Sequence, residues 1–150
     1  MLKRIISLII LLVIFSCEKH NNNPNIIFIL ADDLGYSDLS SYGSKTIETI
    51  NIDKLADDGV KLTSYYAAQP VCSASRAAIL TGAYPNRIGI YNAFGPTSDS
   101  GISHDEYTLA EMLKDNGYKT GIFGKWHLGS KKEFFPTNHG FDEFYGILYS

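Results

Sequence analysis

Three short groups of polar residues stand out in this 150-residue sequence by their types and spacing. Cys72 and Arg76, within Pro70-Val-Cys-Ser-Ala-Ser-Arg76, are four residues apart, one turn of a helix. A helix mouth offers free N–H groups and the positive end of a dipole, and an arginine one turn further in can reach the same anion. A small buried cysteine and a surface arginine would give the same pattern. Asp32 and Asp33 are adjacent carboxylates directly after an apolar run. They repel one another and call for a cation, and all-oxygen ligation favours Ca²⁺ or Mg²⁺ over zinc. A turn with Asp33 capping the next segment would use the same residues. Lys125 and His127, spaced i, i+2, share one face of a strand with Trp126 on the other. Together they can hold an anion and move a proton, although a solvated lysine and a core histidine are the plainer alternative.

These residues need elements to position them. Asn25 to Ala31 is a continuous apolar run rich in β-branched residues, which predicts a strand buried on both faces of a parallel sheet. Asn51 to Asp58 reads as a helix capped by Asn51 and stopped by Gly59, and Val60 to Ala67 as a second strand. Ser73 to Thr81 favours helix, closed by Gly82. Residues 83 to 107, rich in Gly, Pro, Ser and Asn, read as a long surface excursion. Thr108-Leu-Ala-Glu111 is a capping box, and Leu109, Met112 and Leu113 give the apolar face of a helix ending at Gly117. Tyr118 to Phe123 is the next strand. This order is that of an α/β sandwich, with a mostly parallel sheet between helices, and it puts all three polar groups near strand ends, where open α/β sheets bind ligands. Few strands for such a sheet lead to the expectation that the chain is the front part of a longer protein.

Composition narrows the partners. With 45% hydrophobic and 19% charged residues the chain reads as globular, and a net charge of −3 without a basic patch gives no case for nucleic acid. Ten Tyr and eight Phe suit a carbohydrate or aryl surface and suit a packed core equally. At the N-terminus, Lys3 and Arg4 precede an apolar run from Ile5 to Phe15, too short to span a membrane but fitting a signal-peptide core. Ile14-Phe15-Ser16-Cys17 resembles a bacterial lipobox, so residues 1–16 are expected to be removed and Cys17 lipidated, anchoring an exported periplasmic or cell-surface protein. Cleavage without lipid is the alternative. Residues 17–24 then form a polar tether. Loss of Lys3 and Arg4 from the 13 basic residues, against 16 acidic ones, takes the charge from −3 to −5. A lipidated Cys17 leaves Cys72 as the only thiol, with no disulfide partner in the chain.

From Asn25 onward the chain closely resembles the formylglycine-dependent sulfatases, of arylsulfatase type within the alkaline-phosphatase superfamily. The likeness rests on four motifs in order: Asn25-Ile-Ile-Phe-Ile-Leu-Ala-Asp-Asp-Leu-Gly, Cys72-Ser-Ala-Ser-Arg76 with Leu80-Thr-Gly, Gly121-Ile-Phe-Gly-Lys125-Trp-His127-Leu-Gly, and His139-Gly-Phe-Asp-Glu-Phe-Tyr-Gly. It implies an alkaline-phosphatase-like fold, incomplete in this chain, with residues 25–150 as the N-terminal part of the catalytic domain. It implies hydrolysis of sulfate esters by a gem-diol formed when a maturation enzyme oxidises Cys72 to formylglycine. Asp32, Asp33 and residue 72 would bind Ca²⁺ or Mg²⁺, Arg76 would hold the diol, Lys125 would bind sulfate, and His127 would orient the diol and assist elimination. Sulfated carbohydrates or aryl sulfate esters would be the substrates, and the membrane would be met only through the lipid anchor.

The sequence departs from the family's commonest maturation signal at Ala74, where proline is usual, which favours a radical-type bacterial maturase. The family's Asp-Asn metal pair and a further histidine and lysine lie downstream, so the chain alone is expected to be inactive. Two other readings use the same residues: a phosphate or phosphonate monoester hydrolase of the superfamily, and a lipid-anchored glycan-binding protein without turnover.

Overall fold

A computed structural model describes residues 23–149. The expected signal peptide, Cys17 and all of the expected tether but residues 23 and 24 lie outside the described residues. The chain divides after Asp33 into two compact units, each taken by itself below.

In the first unit, residues 24–31 form neither helix nor strand. The strand expected over 25–31 is therefore not formed: a strand exists through its ladder of inter-strand hydrogen bonds, and the described part of this unit offers no second segment to pair with. The apolar run ends at Asp33, whose φ of 57° turns the chain sharply.

The second unit contains three α-helices and a parallel pair of strands. Helix α1 spans Ile50–Asp58, α2 Cys72–Thr81 and α3 Leu109–Asp115, while β1 spans Gly121–Lys125 and β2 Glu143–Ile147. Helix α1 starts one residue earlier than expected and its N-cap is Thr49, not Asn51. The Thr49 hydroxyl instead accepts from the Ser40 amide (3.0 Å) and donates to Asp53 (2.8 Å), tying the helix to the turn before it. Residues 60–67 form no strand; Val60, Leu62, Tyr65, Tyr66 and Ala67 line an apolar groove of about 540 Å³ with Tyr36 and Tyr42, which contains none of the candidate site residues.

Helix α3 carries the expected capping box. Thr108 Oγ1 accepts from the Glu111 amide at 3.2 Å and the Thr108 amide donates to Glu111 at 2.7 Å. The same hydroxyl donates to the His139 carbonyl at 2.9 Å, so the cap also fixes the segment before β2. Ala110 is the buried residue of this helix and Met112 stays exposed, because the helix is short and rests on one turn.

Strand β1 begins three residues later than expected, and β2 pairs with it in parallel register from Gly121↔Glu143 to Lys125↔Ile147. The sequence reading missed β2, whose Phe144-Tyr-Gly-Ile147 run is its only local signal. Gly124 and Gly146 face one another in this ladder, and a Cβ on Gly146 would run into the Gly124 backbone. Around the pair lies a core of Ala74, Ala77, Ile90, Ile102, Trp126 and Leu128. Ile90 and Ile102 come from the supposed surface excursion, and the Ile102 amide donates to the Leu128 carbonyl at 2.9 Å. That segment is therefore part of the packed body. His139 is fully buried between the rings of His104 and Trp126, and burial, reinforced by His104, pushes its imidazole below the ordinary range. Among the described residues no helix is long and apolar enough to cross a membrane.

Asp142 closes the N-terminal end of the pair. It accepts from the Thr120 amide at 3.0 Å and lies 2.7 Å from the Lys114 ammonium. Lys114 first, then the Thr120 amide, hold its carboxyl down to about 2 from 3.8. A depressed carboxyl stabilises the fold fully above the unfolded value and loses that contribution as pH falls toward the folded one. Asp142→Asn is therefore expected to lower the urea midpoint at about pH 5, with the gap to the parent closing at about pH 2. An equal gap at both pH values would contradict this role.

Candidate functional site

Helix α2 begins at Cys72 because Pro70 and the extended Val71 (φ −129°, ψ 144°) deliver the chain to it, and it stops at Gly82 in the left-handed conformation (φ 67°). Its N-cap, Val71, has no polar side chain and makes no capping bond; the first intrahelical bond runs from the Ser75 amide to the Val71 carbonyl at 2.9 Å. A helix mouth without a capping side chain keeps its first N–H groups and its positive dipole end available to an anion. Cys72 is half-buried there, while Ser73, Ala74 and Ala77 are wholly buried. Two alanines at i, i+3 let the helix lie close against the core that carries Trp126 and Leu128.

Two long-range ties fix this helix against the segment after β1. Arg76 Nη1 donates to the Lys125 carbonyl at 2.6 Å, joining residues 49 apart in the sequence. Arg76 is thus bound to the strand end that carries Lys125, rather than serving only an anion at Cys72. The second tie runs through Phe94, on the loop between α2 and α3. Its amide donates to Ser73 Oγ at 3.0 Å and its carbonyl lies 2.8 Å from His127 Nε2.

His127 is placed differently from expectation. Strand β1 ends at Lys125, and His127 has a positive φ of 57°, so the strand alternation that would put the two side chains on one face does not hold. Trp126 and His127 are both buried. The Trp126 and His127 amides continue the ladder to the Ile147 and Leu148 carbonyls at 2.8 and 3.1 Å, and Tyr149 meets the His127 ring edge-to-face at 5.3 Å. His127 Nδ1 is buried without a hydrogen-bond partner. Sequence reasoning missed Ser73, Phe94 and Tyr149. The first sits inside the Cys72 motif, while Phe94 acts through its backbone and leaves no side-chain signal.

Asp32 and Asp33 end the first unit, adjacent and both exposed. Among the described residues, the non-glycine positions with positive φ are Asp33 and His127, both candidate site residues. Such conformations cost about 1–2 kcal/mol each and persist where the surrounding structure enforces them, commonly at functional sites.

The model of the family described as Sulfatase matches residues 24–150. The chain belongs to the sulfatase family. It is 48% identical to human steryl-sulfatase over 155 residues, covering 95% of this chain and 27% of that protein. It is 52% identical to arylsulfatase A of Bos taurus over 130 residues, covering 85% and 26%. The crystal structure of Ps i-CgsB superposes with a TM-score of 0.81 at 46% identity, covering 85% of this chain and 28% of that one. A second structure of that protein, in complex with k-i-k-neocarrahexaose, gives 0.76 at 43% identity, covering 79% and 27%. The chain spans about a quarter of the length of the curated relatives it matches. The α/β, alkaline-phosphatase-like fold class read from the sequence therefore holds.

Arg76→Met keeps the apolar stem and removes the donor to the Lys125 carbonyl. It is expected to cost about 1.5–3 kcal/mol, the range for a hydrogen bond to a charged group. Urea unfolding measures this, and an unchanged midpoint would show that the tie carries no weight.

Proposed function

We propose that this chain carries the nucleophile and the sulfate-binding residues of a sulfate-ester hydrolase, with Cys72 as the precursor of a formylglycine. The observation that carries this reading is the fastening of the Cys72 helix to both Lys125 and His127, through Arg76 and through Phe94. Family membership adds the reaction class, since the matched relatives are named sulfatases.

The donor chemistry agrees with oxidation of Cys72. Asp32 and Asp33 are hard oxygen donors suited to Ca²⁺ or Mg²⁺, whereas a thiolate suits softer metals. An oxygen in place of sulfur on residue 72 would be a donor of the same hard type. A divalent cation held by the Asp32 and Asp33 carboxylates would polarise a sulfate oxygen.

One hydroxyl of the hydrated residue 72 attacks sulfur, the alcohol leaves with a proton, and sulfate remains ester-linked to residue 72. Loss of the proton from the second hydroxyl then breaks the carbon–oxygen bond, expels sulfate and restores the aldehyde, which water rehydrates. Lys125 binds the sulfate oxygens, Arg76 holds the diol, and His127 takes the proton that drives elimination. A thiol offers no such second step.

The substrates proposed are sulfated carbohydrates or aryl sulfate esters. Support comes from the sulfated-sugar names among the relatives, such as N-acetylgalactosamine-6-sulfatase, and from the oligosaccharide complex of Ps i-CgsB. A maturation enzyme accepting Ala74 is the partner implied, and export with lipid anchoring at Cys17 is the reading that the lipobox-like N-terminal sequence supports.

Cys72→Ala in the full-length protein is expected to lower kcat/KM for an aryl sulfate by more than about a thousandfold, the scale for loss of a covalent nucleophile. The matched aryl phosphate should be the poorer substrate of the parent protein, and a chelator should remove activity that Ca²⁺ restores. Full activity in Cys72→Ala would overturn the reading, and preference for the phosphate ester would move it to phosphoryl transfer.

A further inference from the structure

Phe94 lies on a loop without helix or strand hydrogen bonding, so its backbone groups must find partners elsewhere. Both partners belong to the candidate site. On one side Ser73 Oγ accepts the Phe94 N–H at 3.0 Å; on the other the Phe94 carbonyl meets His127 Nε2 at 2.8 Å. Ser73 is wholly buried and sits in the first turn of α2, next to Cys72. The Phe94 ring packs against the core cluster, which limits how far the loop can move.

This contact decides which ring nitrogen carries a hydrogen. A carbonyl oxygen can only accept, so His127 Nε2 must carry the hydrogen. A neutral imidazole held this way has its lone pair on Nδ1, the ring nitrogen that is buried without a partner. We infer that Ser73 is a positioning residue: by holding the Phe94 amide it sets the Phe94 carbonyl on His127 and fixes the tautomer in which Nδ1 exchanges the proton. This inference rests on the proton-transfer role proposed for His127.

Among the described residues, no other hydrogen bond holds the ring. Tyr149 meets it edge-on and constrains its plane, and the Leu148 carbonyl holds only the His127 backbone amide. Without the Ser73 hydroxyl, the Phe94 amide loses its acceptor and the loop can settle with its carbonyl off Nε2. The imidazole is then released to populate both tautomers.

Ring-labelled ¹⁵N-histidine in the full-length protein reads the tautomer directly, with the His127 signal assigned by its loss in His127→Gln. The parent is expected to show a protonated Nε2 and a bare Nδ1, and Ser73→Ala a mixture of both forms. The kcat for an aryl sulfate, counted per formylglycine at residue 72, should fall about tenfold in Ser73→Ala, with KM within about twofold. Ser73→Thr, which keeps the hydroxyl, should recover both signals. A parent carrying its proton on Nδ1, or a Ser73→Ala protein with unchanged tautomer and kcat, would overturn the inference. If the parent hydrolyses no sulfate ester while Ser73→Ala still mixes the tautomers, the positioning by Ser73 stands and the proposed function falls.

Discussion

The site depends on a backbone ladder that outlasts its strand. Strand β1 ends at Lys125, yet the Trp126 and His127 amides go on donating to Ile147 and Leu148 beside β2. These two extra rungs hold His127 at a positive φ that its side chain would not choose in isolation. They also carry Trp126 into the core, where its indole N–H reaches the Phe134 carbonyl at 2.8 Å. With Trp126 anchored, the carbonyl of Lys125 is fixed, and Arg76 can draw α2 onto it. Cys72, four residues earlier on that helix, is held relative to Lys125 by this guanidinium contact together with the Ser73–Phe94–His127 tie.

Close packing makes these ties possible. Ala74 and Ala77 present almost no side chain, so α2 can approach the Trp126–Leu128 core closely. Gly146 does the same between the strands, where a Cβ would run into the Gly124 backbone. Larger residues at these positions would push apart the elements whose backbones bear the hydrogen bonds. The small residues flanking Cys72 and Lys125 thus serve the geometry of the site as much as the stability of the core.

Much of this was legible in the sequence where the signal is local. The start of α2 near Cys72, its stop at Gly82, and the Thr108–Glu111 capping box all depend on residues a few positions apart, and the structure keeps them. With roles supplied by the family resemblance, Cys72, Arg76, Lys125 and His127 could be singled out from type and spacing as candidates in the second unit. Their relative placement could not. Alternation along β1 put Lys125 and His127 on one face, because nothing local announces that the strand stops at Lys125. The tie through Phe94 runs through backbone atoms, which every residue possesses, so no residue type marks it. The apolar run at 25–31 shows the opposite limit: composition suited to a strand does not make one without a neighbour to complete the ladder.

The ties through Arg76 and Ser73 hold the helix that begins at Cys72, and the proposed chemistry depends on what that side chain becomes. The decisive measurement is the mass of the peptide containing residue 72, from protein purified out of its native host. Formylglycine replaces sulfur by oxygen with loss of two hydrogens, and its aldehyde reacts with a hydrazine probe. A peptide lighter by that change, and captured by the probe, is the expected result. An unmodified cysteine in every copy of an active protein would contradict it.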